Sequence, residues 1–432
     1  MVNILIDKIN SRFEYISKIL FEYILKADYQ IIEKKDFDLK KNNLTIHINY
    51  SNEIETLSVN IPNASFLNKN KLFEIDFETV DDVFPRLFFL KNENYDIDFD
   101  LFSASFYLIT EYEKYLKAEL DEHDRYNESA IKVYQNKWYR KPLINIYAEF
   151  LWTKLKEKFP ELKREKTKFS YDFTFDVDQP WAYLNKGFYT YIGFIKDILK
   201  FDFKNFKNRF KAVASGVDPF DVYDFIFKKC PAEKTTFFFL ISGNSKYDER
   251  FTLKNKYLRK LINEISEKGC KIGIHPSYNS YKDKELLEFE KKELEKILNK
   301  KVFYSRQHFL RYQLPQTFEY LDDIGIEHEF TSSMISNVGF KNFIAVTFPW
   351  FNLVENRITN LMIHPTMVMD ATLKNYLDYS PQEAVESVER IIEECKKVNG
   401  NFVLLWHNSS LGESFGWEGW KDVFNKIIDK LK

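Results

Sequence analysis

Two parts of the chain differ in how apolar and polar positions alternate. In residues 1–165, short apolar runs that predict strands, such as residues 44–49 and 56–61, are mixed with helical stretches. A run of charged residues at 163–168 then predicts a linker. We therefore expect an α+β N-terminal domain over residues 1–165 and a second domain over residues 166–432.

From residue 169 onward, strand-like and helix-like patterns follow one another in regular order. Apolar runs predict strands at residues 171–177, 235–241, 271–274, 302–305 and 401–406. Helical spacing lies between them, and Ser380-Pro-Gln-Glu predicts a capping box that starts a helix running to about Val398. Such alternation predicts a parallel sheet. With at least six strands, a (β/α) barrel is favoured over an open sheet.

Reactive side chains follow several of the predicted strands. In a barrel, functional groups lie just past the carboxyl ends of the strands. The residues at these positions are Asp176, Asp178, His275, Arg306, His308, His364 and His407. Four of the seven histidines of the chain are among them. This concentration of imidazoles indicates an enzyme.

Asp176 and Asp178 are separated by one residue, so a regular strand points both carboxylates to the same side. Two neighbouring carboxylates repel each other and need a cation or a shared proton. If one carboxylate binds a metal ion and the other acts as a general base, their repulsion is relieved. The alternative is that both are turn carboxylates that cap the next helix, which have the same spacing. His275 follows Gly273, which permits close backbone approach, and imidazole suits Zn, Fe, Co or Ni. A structural His-Pro turn is the alternative for His275.

The composition excludes other classes of protein. The net charge is −2 from 63 basic and 65 acidic residues, so no global positive field would attract nucleic acid. The cysteines Cys230, Cys270 and Cys395 form no CxxC pair, which fits a reducing compartment and excludes a zinc-thiolate site. The N-terminus lacks signal-peptide features, and no uncharged apolar run reaches the ~18 residues of a transmembrane helix. We expect a cytoplasmic protein.

The order of these motifs resembles that of the polysaccharide deacetylase superfamily (carbohydrate esterase family four). The motifs are Thr174-Phe-Asp-Val-Asp178, Ile272-Gly-Ile-His275-Pro, Ser305-Arg306 and Leu404-Leu-Trp-His407. More closely, nearly the whole chain is similar to a cytoplasmic bacterial branch associated with surface-polysaccharide synthesis. The resemblance implies a distorted (β/α)7 barrel and a hydrolase that removes an N-acyl group, such as acetyl, from a carbohydrate. A nucleotide- or lipid-linked sugar would be the substrate.

The resemblance also implies individual roles. Asp176 would be the general base, with Arg306 orienting it, and His407 would be the general acid. Asp178 and His275 would be ligands of a divalent metal. Zinc is the first expectation, and cobalt and nickel are the alternatives. The bound metal would polarise the acyl carbonyl and lower the pKa of its water.

One position departs from the family pattern. The second motif of the family has another histidine four residues after the first, and Asn279 stands there in this chain. Either Asn279 serves as a ligand, or His308 replaces the missing imidazole, or the metal site is lost. In the last case the chain would be a non-catalytic relative that binds a glycan or organises a complex. Trp350, Tyr278 and Asn408 are the candidates for sugar contacts, and His364 is a lesser site candidate.

Overall fold

The computed structural model describes residues 1–36, 45–116, 119–243, 245–248 and 254–432. Leu44, in one predicted strand, therefore lies outside the described residues. The strands of the first region are β1 (Val2–Ile6), β2 (Tyr29–Glu33), β3 (Ile48–Tyr50), β4 (Val59–Ile61), β5 (Thr79–Asp81) and β6 (Pro85–Leu87). Its α-helices are α1 (Ser11–Lys18), α2 (Leu101–Ile109), α3 (Lys132–Gln135) and α4 (Leu143–Lys158), and a π-helix at Ile19–Leu25 continues α1.

The first region is built on a parallel sheet with the strand order β2-β1-β3-β4, and β5 and β6 form a separate antiparallel pair. Local sequence fixes the helix starts. Asn10 caps α1 by accepting a hydrogen bond from the Phe13 N–H (3.0 Å), and the buried Asp100 caps α2 through the Ser103 N–H (2.9 Å). The predicted mixture of strands and helices is thus present.

The second region alternates strands and helices, as its pattern predicts. Its strands are β7 (Ser170–Val177), β8 (Thr235–Phe239), β9 (Lys271–Ile274), β10 (Tyr304–Ser305), β11 (His328–Glu329), β12 (Phe348–Asn352), β13 (Arg357–Ile363), β14 (Val368–Met369) and β15 (Asn401–His407). Its α-helices are α5 (Phe188–Leu199), α6 (Phe203–Ser215), α7 (Tyr223–Lys229), α8 (Lys256–Glu267), α9 (Lys284–Leu298), α10 (Gln316–Asp323), α11 (Pro381–Lys397) and α12 (Trp420–Leu431). The capping box is present at the start of α11, where Ser380 and Glu383 bond each other's backbone N–H.

Among the described residues, these strands form one sheet in the order β12-β13-β11-β10-β9-β8-β7-β15-β14. Neighbouring strands are parallel except for β12, which runs antiparallel to β13 at one edge. The segment between β13 and β14 bonds to strands far apart in this order. The Thr366 N–H donates to the Ser332 carbonyl (2.8 Å), next to β11, and the Met367 N–H donates to Val403 on β15 (3.0 Å).

The two regions share one apolar core, whose largest cluster contains residues of both. Polar contacts join them as well. The Tyr15 hydroxyl donates to the Pro349 carbonyl (2.9 Å), and the Glu128 carboxylate accepts from the Ile335 N–H (2.7 Å) and the Ser336 hydroxyl (2.6 Å). The N-terminal region is therefore packed against the sheet that carries the strand-end groups. No helix in the described part of the chain is both long and apolar enough to span a bilayer.

Candidate active site

The loops at the carboxyl ends of the nine-stranded sheet enclose a cavity of about 240 Å³. Side chains from widely separated segments line it: Arg125, Asp176, Asp178, His275, Gln307, His308, Phe309, Leu310, Met369, Ala371, Asn375, Tyr376 and His407. Parallel strands present the same end to one edge of a sheet, which is why these distant residues meet. The structure thus brings together five of the strand-end groups singled out in the sequence.

Arg306 fixes the carboxylate of Asp176. The guanidinium is completely buried, and its Nη1 donates to Asp176 Oδ1 (2.9 Å) and to the Thr174 hydroxyl (2.8 Å). Its other nitrogens donate to the Phe330 carbonyl (3.1 Å) and the Thr366 hydroxyl (2.9 Å). A buried charge of this kind is stable only when it is paired and hydrogen-bonded. Asp176 is therefore held as an oriented, ion-paired group at the floor of the cavity.

Asp178, His275 and His308 form a cluster with metal-ligand geometry. Each offers one ligand atom, and the three atoms lie within 4.8 Å of one another. Asp178 Oδ1 is 3.2 Å from His275 Nε2 and 3.8 Å from His308 Nε2. Two imidazoles and one carboxylate are a donor set that suits Zn, Co, Ni or Fe.

The outer nitrogens of both imidazoles are already engaged. His275 Nδ1 lies 2.6 Å from the Arg306 carbonyl, and His308 Nδ1 lies 3.2 Å from Asp248 Oδ1. These acceptors favour a proton on Nδ1 and leave the Nε2 lone pairs directed to the cluster, as in most histidine metal sites. Asp178 Oδ1 is buried and accepts no hydrogen bond from the described residues. The residues present therefore fit a divalent metal ion.

The charges of this cluster also shift its pKa values. Burial raises the pKa of Asp178, but the imidazoles of His308 and His275 outweigh it and hold that pKa well below its ordinary value. Burial lowers the pKa of His275, but the Asp176 and Asp178 carboxylates outweigh it and raise that pKa. Asp178 is thus ionised, as a metal ligand must be.

Gly273 allows the strand that carries His275 to approach its neighbours. A Cβ at this position would lie 2.6 Å from the Phe238 ring and 2.7 Å from the Tyr304 carbonyl oxygen. Any larger residue would push β9 away from β8 and β10. The position of His275 therefore depends on this glycine.

His407 lies beside the cluster, and a carboxylate contacts the other side of its ring. Asp370 is completely buried; its Oδ1 is 2.7 Å from His407 Nδ1, and its Oδ2 accepts the His407 N–H (2.8 Å). His407 Nε2 faces the cluster, 3.9 Å from Asp178 Oδ2. Burial lowers the pKa of His407, but the charge of Asp370 outweighs it and raises that pKa to about 10. An imidazolium held in this way can donate a proton into the cavity.

The N-terminal region contributes Arg125 to the cavity wall. Its Nε donates to Asp121 Oδ2 (2.7 Å), and its Nη1 donates to the Tyr376 hydroxyl (3.1 Å). Asp121 Oδ1 also accepts from the backbone N–H groups of His123 (2.8 Å) and Arg125 (3.0 Å). Residues 121–126, one polar cluster of the N-terminal sequence, thus form a turn held by side-chain hydrogen bonds that also closes one side of the cavity.

Besides Arg306, which is buried behind Asp176, four of the sequence candidates are absent from the cavity lining. Asn279 is exposed on the turn that precedes the 3-10 helix Ser280–Lys282, so it does not join Asp178 and His275. Trp350 is buried on the antiparallel strand β12, edge-on to Phe318 (5.5 Å between ring centroids).

Tyr278 and Asn408 have structural contacts instead. Tyr278 packs beside the cavity residue Phe309 (5.3 Å between ring centroids), and its hydroxyl is 2.9 Å from His123 Nδ1. Asn408 is buried, and its amide donates to the carbonyls of Gln179 (2.9 Å) and Phe220 (3.1 Å). These hydrogen bonds join the loops that contain residues 179, 220 and 408.

The lesser candidate His364 also lies outside the cavity lining. It stacks on Phe330 with 4.1 Å between ring centroids, and its Nε2 is 2.9 Å from His328 Nδ1. Burial holds the pKa of His364 well below its ordinary value, which keeps the imidazole neutral.

Sequence reasoning missed two carboxylates that support the site. Asp248 contacts His308, and Asp370 contacts His407. Asp370 carried a weak signal, because it directly follows a short apolar run and could line the pocket, but the pattern did not link it to His407. Asp248 had none, because it lies in an irregular segment nine residues past the end of β8.

Comparisons with known proteins give two kinds of likeness. A family model described as a family of unknown function (DUF7033) matches residues 2–160. No curated protein sequence is significantly similar to this chain.

Solved structures resemble the chain at low identity. One is a protein from Mycobacterium smegmatis assigned as a polysaccharide deacetylase (14% identity, TM-score 0.40, 62% of this chain and 85% of that chain). Another, from Bordetella bronchiseptica, is assigned as a polysaccharide deacetylase involved in O-antigen biosynthesis (14%, 0.30, 61% and 81%). A third is the Puue allantoinase (8%, 0.35, 61% and 84%).

Proposed function

We propose that the chain is a metal-dependent hydrolase that removes an N-acyl group from a carbohydrate. The observation that carries the proposal is the grouping of three units around one cavity. These are the Asp176–Arg306 pair, the Asp178–His275–His308 cluster and the His407–Asp370 pair. A base, a metal-ligand set and an acid are the groups that amide hydrolysis by a metal-activated water requires.

We further propose that the nine-stranded sheet is a distorted (β/α)7 barrel within a domain covering residues 166–432. The hydrogen bonds of residues 366 and 367 support this, because they link the β11 side of the sheet to β15. β13 and β14 would then be one interrupted strand, and β12 an addition outside the barrel. Residues 1–165 would be the N-terminal domain, packed against the barrel through the shared apolar core.

Each group would have a distinct task. A metal ion held by Asp178, His275 and His308 would polarise the acyl carbonyl and acidify its bound water. Asp176, oriented by Arg306, would accept a proton as general base. His407 would donate a proton to the departing amine nitrogen, and Asp370 would keep its imidazole charged and in position.

The substrate proposed is an N-acetylated sugar linked to a nucleotide or lipid, used in surface-polysaccharide synthesis in the cytoplasm. The three cysteines are buried free thiols, which supports a reducing compartment. The carbohydrate class rests on the motif order from Thr174 to His407.

Metal analysis of the purified protein is the first test. After incubation with Zn, Co or Ni and removal of excess ion, we expect one bound ion per chain. Acetate release from nucleotide- and lipid-linked N-acetyl sugars then tests the reaction. Binding of a sugar without metal or turnover would instead support the non-catalytic glycan-binding alternative.

A further inference from the structure

The segment after β7 exposes an unusual amount of apolar surface. Helices α5 and α6 form a hairpin, and we call residues 188–217 the apolar hairpin. Among the described residues, 12 of the 25 exposed large hydrophobic side chains belong to it. The most exposed are Phe188, Tyr189, Leu199, Phe201, Phe203 and Val217. A concentration of exposed apolar side chains of this kind marks an interaction site.

The apolar hairpin is ordered by its own inner face. Arg209 on α6 donates to Asp197 on α5 (2.7 Å), and both side chains are buried. The Phe194 and Phe206 rings pack with 5.3 Å between centroids. At the base, the buried Asp218 accepts the backbone N–H groups of residues 182, 183 and 184 (2.8–2.9 Å). The exposed side chains are therefore not needed to hold the two helices together.

The charges on the apolar hairpin are mostly of one sign. Five lysines, at positions 196, 200, 204, 207 and 211, are exposed, whereas Asp202 is the one exposed carboxylate in this segment. Lys204 and Lys211 share a groove with Glu413 and Glu418. The remaining three lysines flank the apolar side chains without lining that groove. The hairpin is thus locally basic in a chain of net charge −2.

We propose that the apolar hairpin docks the protein onto a membrane surface that contains anionic lipid. Phe, Tyr, Ile and Leu mixed with lysines are the composition of helices that lie in the membrane interface. The lysines complement the negative potential of such a surface. A protein partner is less favoured, because lysine is depleted from protein–protein interfaces.

The position of the hairpin relates docking to the cavity. It follows the carboxyl end of β7, which carries Asp176 and Asp178. Its base is tied to the loop of His407, because the Asn408 amide donates to the Gln179 and Phe220 carbonyls on either side of the hairpin. The base of the hairpin therefore lies at the end of the sheet that carries the cavity. The proposal stands independently of the reaction proposed above.

Vesicle co-sedimentation tests the proposal with the full chain. Vesicles of phosphatidylcholine alone are compared with vesicles containing about 30% phosphatidylglycerol. We expect the wild type to bind the anionic vesicles at least about tenfold more strongly. An Ile195→Glu/Leu199→Glu variant should lose binding to both, and a Lys196→Glu/Lys200→Glu/Lys207→Glu variant should lose the preference for anionic lipid. All these side chains are exposed, so circular dichroism and the melting temperature should not change.

The matched control is Leu57→Glu/Val83→Glu, which places the same charges on apolar side chains that are 80% and 81% exposed outside the hairpin. It should bind like the wild type. A wild type that does not sediment with anionic vesicles, or hairpin variants that sediment equally well, would overturn the proposal. A wild-type dimer that Ile195→Glu/Leu199→Glu dissociates, without vesicle binding, would assign the surface to a second copy of the chain instead.

Discussion

In the four-stranded sheet, Asp7, Lys34 and Ser51 follow the carboxyl ends of three neighbouring parallel strands, just as reactive groups do in the nine-stranded sheet. Yet these three satisfy one another. The Ser51 hydroxyl donates to Asp7 Oδ1 (3.1 Å), and Lys34 Nζ lies 2.7 Å from Ser51 Oγ and 3.3 Å from Asp7 Oδ1. At the ends of the nine-stranded sheet, by contrast, Asp178 Oδ1 accepts no hydrogen bond from the described residues.

The difference shows that a position at a strand end does not by itself make a site. In the first sheet, the polar atoms of Asp7, Lys34 and Ser51 bond to one another. In the second, supporting groups such as Asp248 and Asp370 occupy the outer atoms of His308 and His407, while the inner atoms face a cavity. Lone pairs left over after the protein's own bonding are what a metal or substrate can use.

Matched substitutions at the two sheets should give the largest contrast. Asp176→Asn keeps the shape of the side chain but removes the general base, so the rate of acyl release should fall about a thousandfold. Asp7→Asn, at the corresponding end of β1, should leave the rate unchanged. Steady-state kinetics of the two variants test this prediction, and their metal content is measured in parallel. Equal rates for Asp176→Asn and the wild type would remove Asp176 from the mechanism.

The polar groups of the first region should matter for stability instead. Asp100 caps α2 and accepts from the Tyr50 hydroxyl (2.9 Å) and the Ala64 N–H (2.8 Å). Asp100→Ala should therefore lower the free energy of unfolding by about 3 kcal/mol, since it removes a cap and leaves buried donors unpaired. Urea denaturation measures this, with the exposed Asp28→Ala as control. Loss of metal binding in folded Asp100→Ala would contradict a purely structural role.

Substitutions of His308 and Asn279 test which of the two residues is the third metal ligand. Because His308 lies in the metal-ligand cluster and Asn279 is exposed, His308→Ala should weaken metal affinity by at least about tenfold, whereas Asn279→Ala should not change it. Competition titration with a metal-binding dye measures both. The opposite order of effects would assign the third ligand to Asn279.

The smallest expected effect is a shift in pH dependence. His407 acts in its protonated form, so activity is present below its raised pKa and is lost as the pH rises through that value. Asp370→Asn removes the charge that raises this pKa, and the basic limb of kcat should move to lower pH by about one unit. Asp378→Asn, an exposed neighbour, should leave the limb in place. An unshifted limb in Asp370→Asn would assign it to another group.

Local patterns predicted much of the second region. The capping box of α11 and the strands β7, β8, β9 and β15 lie where capping chemistry and the apolar runs predict them. Trp350 is a candidate for sugar contact, but it is buried on β12, which runs antiparallel to β13. Strand direction depends on which segments pair, and one apolar run does not encode it.

Part of the candidate site could be predicted from the sequence for a related reason. Asp176 and Asp178 lie at the end of β7, and His275 and His407 lie at the ends of β9 and β15, so their common edge can be deduced from the pattern. Asp248 and Arg125 lie in irregular segments, and their approach to the site depends on tertiary packing. The family spacing suggested a ligand at Asn279, but the turn after β9 exposes that side chain.

The turn at residues 121–126 also bears on how such a protein would evolve. Because Arg125 supplies part of the cavity wall and is joined to Tyr376 across the boundary between the two regions, the reacting groups do not by themselves define the space a ligand fills. Substitutions within residues 121–126 would change this wall while the reacting groups stay in place. Ligand preference would then diversify among descendants that retain identical chemistry.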